Sequence, residues 1–226
     1  MRALLFLPKN AAPPYQIVVY SPTADAFMLR STRDLRLHWI DFIVRSGRVL
    51  LLPIYLGAFE RGPTANTGPT ARTMPNGRRD IIVAWSKDIG RSLDYAETRR
   101  DIDPRRVAFY SASKAEGAVL AAVEPRFAAV ILQSTGLSSI GQPAPPEIDN
   151  LNFAPRVRAP TLLLDGRGDV NNPVEQSQRL LFRLLGAPEA AKRHVMFDSG
   201  HVVPLKPAVR EILDWLDRYL GPVTTR

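Results

Sequence analysis

With 226 residues, 45% of them hydrophobic, the chain is long enough to bury one substantial core, and a single domain over residues 1–226 is expected. It has no cysteine, which excludes disulfides, thiolate metal sites and a cysteine nucleophile; its three dispersed histidines form no ligand cluster, so neither metal nor other cofactor is expected. Thirty basic against 22 acidic residues give a net charge of +8 and a pI near 10.2, but only five of the thirty are lysines and Asp34, Asp80, Asp101 and Asp103 interleave with the arginines, the pattern of a solvated surface rather than of a nucleic-acid interface.

The first apolar run, Leu4 to Leu7, is closed by Pro8 and Lys9 before it could serve as a signal-peptide core and reads as a strand at about 3–7. A second strand follows at about 15–20, then the turn Ser21-Pro-Thr-Ala-Asp-Ala26. A helix is expected near 31–46 and a third strand near 48–54. Gly62 to Arg79, rich in Pro, Gly, Thr and Asn, has no period and reads as a surface loop before a helix near 80–98.

The most informative stretch comes next. A strand at about 106–110 runs into Tyr110-Ser-Ala-Ser-Lys-Ala-Glu-Gly117 and then into an Ala/Val/Leu-rich helix near 114–123. A sharp strand–turn–helix through Ser113 lifts its hydroxyl to the top of a sheet beside the free N–H groups of the helix start. Such a nucleophile turn usually reads G-x-S-x-G; here the two small flanking places hold Ser111 and Ala115. Alone the pattern is weak, because serines often cap helices.

Downstream, a strand near 127–133 leads to a short Gly/Pro-containing link from Ser134 to Leu151, too short for a large helical lid, so an open, shallow pocket is expected. The strand near 160–165 stops at Gly166 and is followed by Asp169; a helix near 173–186 leads to a last strand near 193–198, which ends in Ser199-Gly-His201. The chain thus offers serine, aspartate and histidine in the order of an α/β-hydrolase, 56 and 32 residues apart. His201 follows a strand at the carboxyl edge of the sheet, where ligands bind in α/β folds. His38, beside Trp39 in the helical run, reads as a packing or surface residue, and His194 as lying at the wrong end of its strand. Asp165 and Asp169 both stand near one strand end as candidate acids. The terminal helix near 207–219 carries Val209, Ile212, Leu213, Leu216 and Leu220 at helical spacing, a face for the sheet. Strands alternating with helices predict a mostly parallel sheet with helices on both faces.

Several segments carry a resemblance: Leu5-Phe-Leu-Pro-Lys-Asn10, Pro14-Tyr-Gln-Ile-Val-Val-Tyr20, Trp85-Ser-Lys-Asp-Ile-Gly-Arg-Ser92, Asp101-Ile-Asp-Pro-Arg-Arg-Val107, Glu124-Pro-Arg-Phe127, Asp165-Gly-Arg-Gly-Asp169 and Asp214-Trp-Leu-Asp-Arg-Tyr-Leu220. The chain resembles α/β-hydrolases of the dienelactone hydrolase and prolyl-oligopeptidase-like group, and more closely the hydrolase domains attached to some bacterial serine/threonine kinases. The resemblance implies an α/β-hydrolase fold and a serine esterase acting on small-molecule esters. It implies Ser113 as nucleophile, His201 as general base and Asp169 as the acid that orients it, leaving Asp165 a turn-forming residue. It also implies oxyanion donors at the backbone of Lys114 and, in the turn after the second strand, of Ala24 or Thr23. Where the proteins it resembles have a glycine-rich turn, this chain has no glycine before Gly47, and Lys114 and Glu116 replace an apolar residue and a glycine. A hydrolase-fold module that binds or senses a ligand is therefore the second expectation. No apolar stretch approaches the roughly 18 to 20 residues that span a bilayer, so no membrane partner and a cytoplasmic location are expected; the oligomeric state is left open.

Overall fold

The computed structural model describes residues 2–22, 24–62, 76–113, 116–137 and 144–225. Seven strands form one sheet: β1 (Arg2–Phe6), β2 (Tyr15–Ser21), β3 (Val49–Ile54), β4 (Ile102–Ala112), β5 (Ala129–Gln133), β6 (Thr161–Gly166) and β7 (Lys192–Phe197). Their order is β1-β3-β2-β4-β5-β6-β7, with β1 antiparallel to β3 and every other pair parallel. The inner strands are continuous apolar runs because both their faces are covered; every residue of Val49-Leu-Leu-Leu-Pro-Ile54 is buried. Register carries the core across the sheet through Val18 opposite Ala108, Ala108 opposite Ala129, and Val130 opposite Thr161.

Among the described residues six α-helices cover the sheet: α1 (Asp41–Arg45), α2 (Gly77–Glu97), α3 (Gly117–Val123), α4 (Asn150–Phe153), α5 (Arg179–Leu184) and α6 (Leu205–Leu220). Helix α2 buries Ile81, Ile82, Trp85, Ile89, Leu93 and Ala96, three and four residues apart, and Trp85 Nε1 donates to the Leu56 carbonyl at 2.9 Å. Helix α6 turns Ala208, Ile212, Trp215, Leu216 and Leu220 inward. Helix α3 touches both α2 and α4, while α6 packs on β4, β5 and β6.

At the end of the molecule formed by β2, β3 and α6, the buried Arg48 guanidinium has four partners, one of them the neighbouring Ser46 hydroxyl at 3.1 Å. It donates to Gln16 Oε1 at 2.8 Å, to Asp217 Oδ1 at 2.5 Å and to the Gly221 carbonyl at 3.3 Å, which ties the last helix to the sheet.

The strands fall within a few residues of expectation, and three segments differ. The helix expected over 31–46 is instead two 3-10 turns, Thr32–Asp34 and Leu37–Trp39, and the short α1. Glu60, far along the chain, takes the Thr32 N–H at 2.7 Å and the Thr32 hydroxyl at 2.8 Å, holding the backbone out of helical register. The segment expected as a loop over 62–79 lies mostly outside the described residues, and its last three residues already belong to α2. The helix expected over 173–186 opens with a π-turn, Val174–Gln178, and closes at Leu184.

Candidate active site

The chain runs outward from β2 to β3 and then crosses to the far side of β2 to make β4, so the order of the sheet reverses between β2 and β4. Connections leave this point in opposite directions and open a crevice at the carboxyl ends of the two strands, where ligands bind in doubly wound sheets. Ser113 is the first residue beyond β4, and Pro22 and Ala24 stand just beyond β2.

Ser113 adopts φ = 52°, the left-handed region that a residue with a Cβ enters only when its surroundings hold it there. Its N–H donates to the Gln133 carbonyl at 2.8 Å, which extends the β4–β5 ladder by one step while the side chain turns out of the sheet. The turn closes because its flanks are small. A Cβ on Gly117 would lie 2.8 Å from Ser111 Oγ and 3.1 Å from Leu132 Cδ2, so the first turn of α3 rests directly on β4 and β5. Gly117 was a legible signal for this close approach that the sequence reading left unused.

Asp169 and His201 meet across the loops that follow β6 and β7. His201 Nδ1 lies 2.8 Å from Asp169 Oδ2. The carboxylate is buried, and its Oδ1 accepts the N–H groups of Asn171 at 2.9 Å and Asn172 at 3.2 Å, while Oδ2 also accepts from Asn172 Nδ2 at 3.1 Å. A carboxylate so held orients the imidazole and fixes which of its nitrogens carries the proton. Asn172 reaches back to the Ser134 carbonyl at 3.3 Å, and Ser134 Oγ donates to the His201 carbonyl at 2.6 Å. The turn after β5 thereby bridges the acid and the histidine. Neither Asn172 nor Ser134 was singled out from sequence, because polar loop residues of this kind show no spacing.

The two loops are pressed together. A Cβ on Gly166 would come within 2.0 Å of the Gly200 carbonyl oxygen, and the Gly168 N–H donates to the Ser199 carbonyl at 2.9 Å.

Asp165 is not the turn residue expected of it. It sits inside β6, fully buried, accepting the Thr135 N–H at 3.2 Å and facing His194 Nε2 at 2.9 Å. Burial pushes its carboxyl above the usual range, against the pull of His194. His194, stacked on Phe182 at 5.6 Å, is thus occupied by a structural partner, and exposed His38 lies against Trp39.

Ser113 and His201 line one pocket of about 360 Å³, walled by Leu29, Leu35, Trp39 and Ile40 on one side and by Val203 and Leu205 on the other. Of the oxyanion candidates, Ala24 opens a 3-10 turn to Phe27 directly after β2; Thr23 and Lys114 lie outside the described residues. No group of three or more potential metal ligands occurs among the described residues, and no described helix is long and apolar enough to cross a membrane.

A seven-stranded, mostly parallel sheet of this order, with its crevice at the carboxyl ends of β2 and β4, is the α/β-hydrolase fold. The solved structures it resembles include a cold-adapted esterase from an Arctic intertidal metagenomic library, at a TM-score of 0.73 and 19% identity over 96% of this chain and 87% of that one. A protein from Thermus thermophilus matches at a TM-score of 0.70 and 17% identity, over 96% and 93% of the two chains. An acetyl xylan esterase from Paenibacillus sp. R4 matches at 0.67 and 16%, over 96% and 79%. No family model matches the sequence, and no curated protein matches it in sequence.

Proposed function

We propose that the protein is a serine esterase that cleaves carboxylic esters of small molecules through Ser113, His201 and Asp169. The observation that carries this reading is the 2.8 Å contact of His201 with a buried, hydrogen-bonded Asp169, in the pocket onto which a serine at positive φ opens. The esterases among the similar folds support the same reaction class.

In this reading the Ser113 hydroxyl turns toward His201 Nε2, gives it the proton and bonds through Oγ to the ester carbonyl carbon. The tetrahedral oxyanion is held by the backbone N–H of Lys114 and by one from Thr23 or Ala24, donors worth about 3–4 kcal/mol each in such sites. The imidazolium, stabilised by Asp169, returns its proton to the leaving alkoxide as the C–O bond breaks. Water then repeats the sequence on the acyl-enzyme, with His201 again as base, and frees the acid and Ser113. Asp169 orients the ring without taking the proton itself.

A second reading is a ligand-binding or sensory module, of the kind attached to bacterial kinases, that retains the fold without turnover. It is favoured by the absence of any glycine before Gly47, so that the turn after β2 lacks the flexible backbone usual beside an oxyanion. Hydrolysis of p-nitrophenyl butyrate, together with covalent labelling by a fluorophosphonate probe, separates the two. The esterase reading expects both in the native protein and neither in Ser113→Ala. Equal background rates in both proteins, without labelling, would establish the module.

A further inference from the structure

The pocket beside Ser113 is large and apolar for the simplest esters. Its walls carry Leu29, Leu35, Trp39, Ile40, Val203 and Leu205, and among the described lining residues Arg36 is the one formal charge apart from the titratable His201. No carboxylate occurs among the described lining residues, so a cationic substrate would find no counter-ion from them, and a sugar would leave most of its hydroxyls against hydrocarbon. At roughly 30 Å³ for each water-sized group, a volume of 360 Å³ accommodates about a dozen non-hydrogen atoms. An acetyl group fills a small part of that.

The apolar character continues outward. Trp39 and Val202, 39% and 68% exposed, line the same pocket, so a chain that outgrows the interior still lies on hydrocarbon at the mouth. The near wall is the segment of 3-10 turns that Glu60 holds away from helical geometry; that geometry is what turns Leu35, Trp39 and Ile40 toward Ser113.

Resting on the esterase reading, we propose that the substrate is an ester with one medium-length aliphatic or arylalkyl chain of about six to ten carbons, seated in this pocket while its carbonyl lies at Ser113. Short acyl esters and polyol acetates are poor substrates in comparison. Each methylene that leaves water for such a wall contributes up to about fourfold in kcat/KM.

The test is a series of p-nitrophenyl esters from acetate to dodecanoate, kept below their aggregation concentrations, together with alkyl acetates of matching alcohol length. Expected is a rise in kcat/KM of at least about tenfold from the shortest member to a maximum between six and ten carbons in one series. Leu35→Trp, which narrows the pocket, is expected to move that maximum by at least two carbons toward shorter chains. Turnover that is flat with length in both series, or highest for acetate, overturns the proposal, as does an optimum unmoved in Leu35→Trp. Binding is read without chemistry by titrating methyl octanoate and methyl acetate into Ser113→Ala and following tryptophan emission. If the native protein hydrolyses nothing while Ser113→Ala binds methyl octanoate saturably and methyl acetate not at all, the esterase reading falls and the pocket's preference stands. If neither ester binds, the preference falls too.

Discussion

Replacing Gly166 by alanine tests whether the two loops that hold Asp169 and His201 are as tightly joined as their geometry indicates. The added Cβ would sit 2.0 Å from the Gly200 carbonyl oxygen and 2.5 Å from that of Ser199, where ordinary contact begins at 3.4 Å. Both obstacles are backbone, so no side chain can swing aside, and the loops must part by about 1.4 Å, the shortfall from ordinary contact. A shift of that size stretches the 2.8 Å His201–Asp169 contact beyond hydrogen-bond range. Misplacement by about 1 Å costs on the order of 10²-fold in such sites, and a base without its orienting acid about 10⁴-fold, so kcat should fall between these limits. Overpacking should lower stability by about 1–3 kcal/mol, which for a chain of this length is a few degrees in Tm for each kcal/mol. Gly200→Ala is the internal control: its Cβ would meet nothing closer than 3.9 Å, and it should stay within about twofold of the native rate and 0.5 kcal/mol of its stability. Steady-state hydrolysis and urea unfolding of both variants decide the matter. A Gly166→Ala protein with native kcat and native unfolding midpoint would refute the close-packed-loop account.

Three further outcomes are expected. Ser113→Gly should abolish hydrolysis while raising stability by up to about 1 kcal/mol, since glycine occupies φ = 52° without the strain of a Cβ; a fall in Tm would show the serine conformation to be unstrained. His194→Ala should destabilise the fold by about 3–5 kcal/mol at pH 8 by leaving buried Asp165 without its imidazole. Because burial raises the folded-state pKa of Asp165 above its unfolded value, the penalty belongs to the ionised carboxyl: it is full above the folded pKa and shrinks as pH falls through it, so unfolding at pH 5 should show a smaller loss, and a pH-independent loss would contradict this. Glu60 has the opposite sign: the Thr32 N–H, ahead of the neighbouring hydroxyls, lowers its pKa from 4.5 to about 2, so its hold on the pocket segment is present above about 4.5 and lost as pH falls toward 2. Glu60→Gln should raise KM severalfold for long-chain esters with little change in kcat, and unchanged kinetics would mean that the 3-10 turns stand without it.

The strands could be read from the chain because most carry a short apolar stretch near turn formers, and β3 and β5 are almost wholly apolar, as a doubly covered sheet favours. The order Ser113, Asp169, His201 was legible for the same reason, since each follows a readable strand. Local reading ended where distant residues decide. Glu60 bends the 31–40 segment from outside it, and Asp165 leaves its apparent turn because Thr135 and His194, brought close only by the sheet, supply its hydrogen bonds. Asn172 and Ser134 acquire their place beside Asp169 and His201 only when three loops converge at one edge of the sheet.

On the proposed esterase reading, that convergence would make the reactivity of Ser113 a clock for assembly. Strand β2 pairs with β4 through residues as remote as Val18 and Ala108, and His201 joins only once β7 has docked on β6. Parallel pairings of such sequence separation are slow to close, because a large loop entropy precedes each contact. During refolding, tryptophan burial should therefore precede reactivity toward an active-site probe, and the lag between the two signals would time the docking of the last strand.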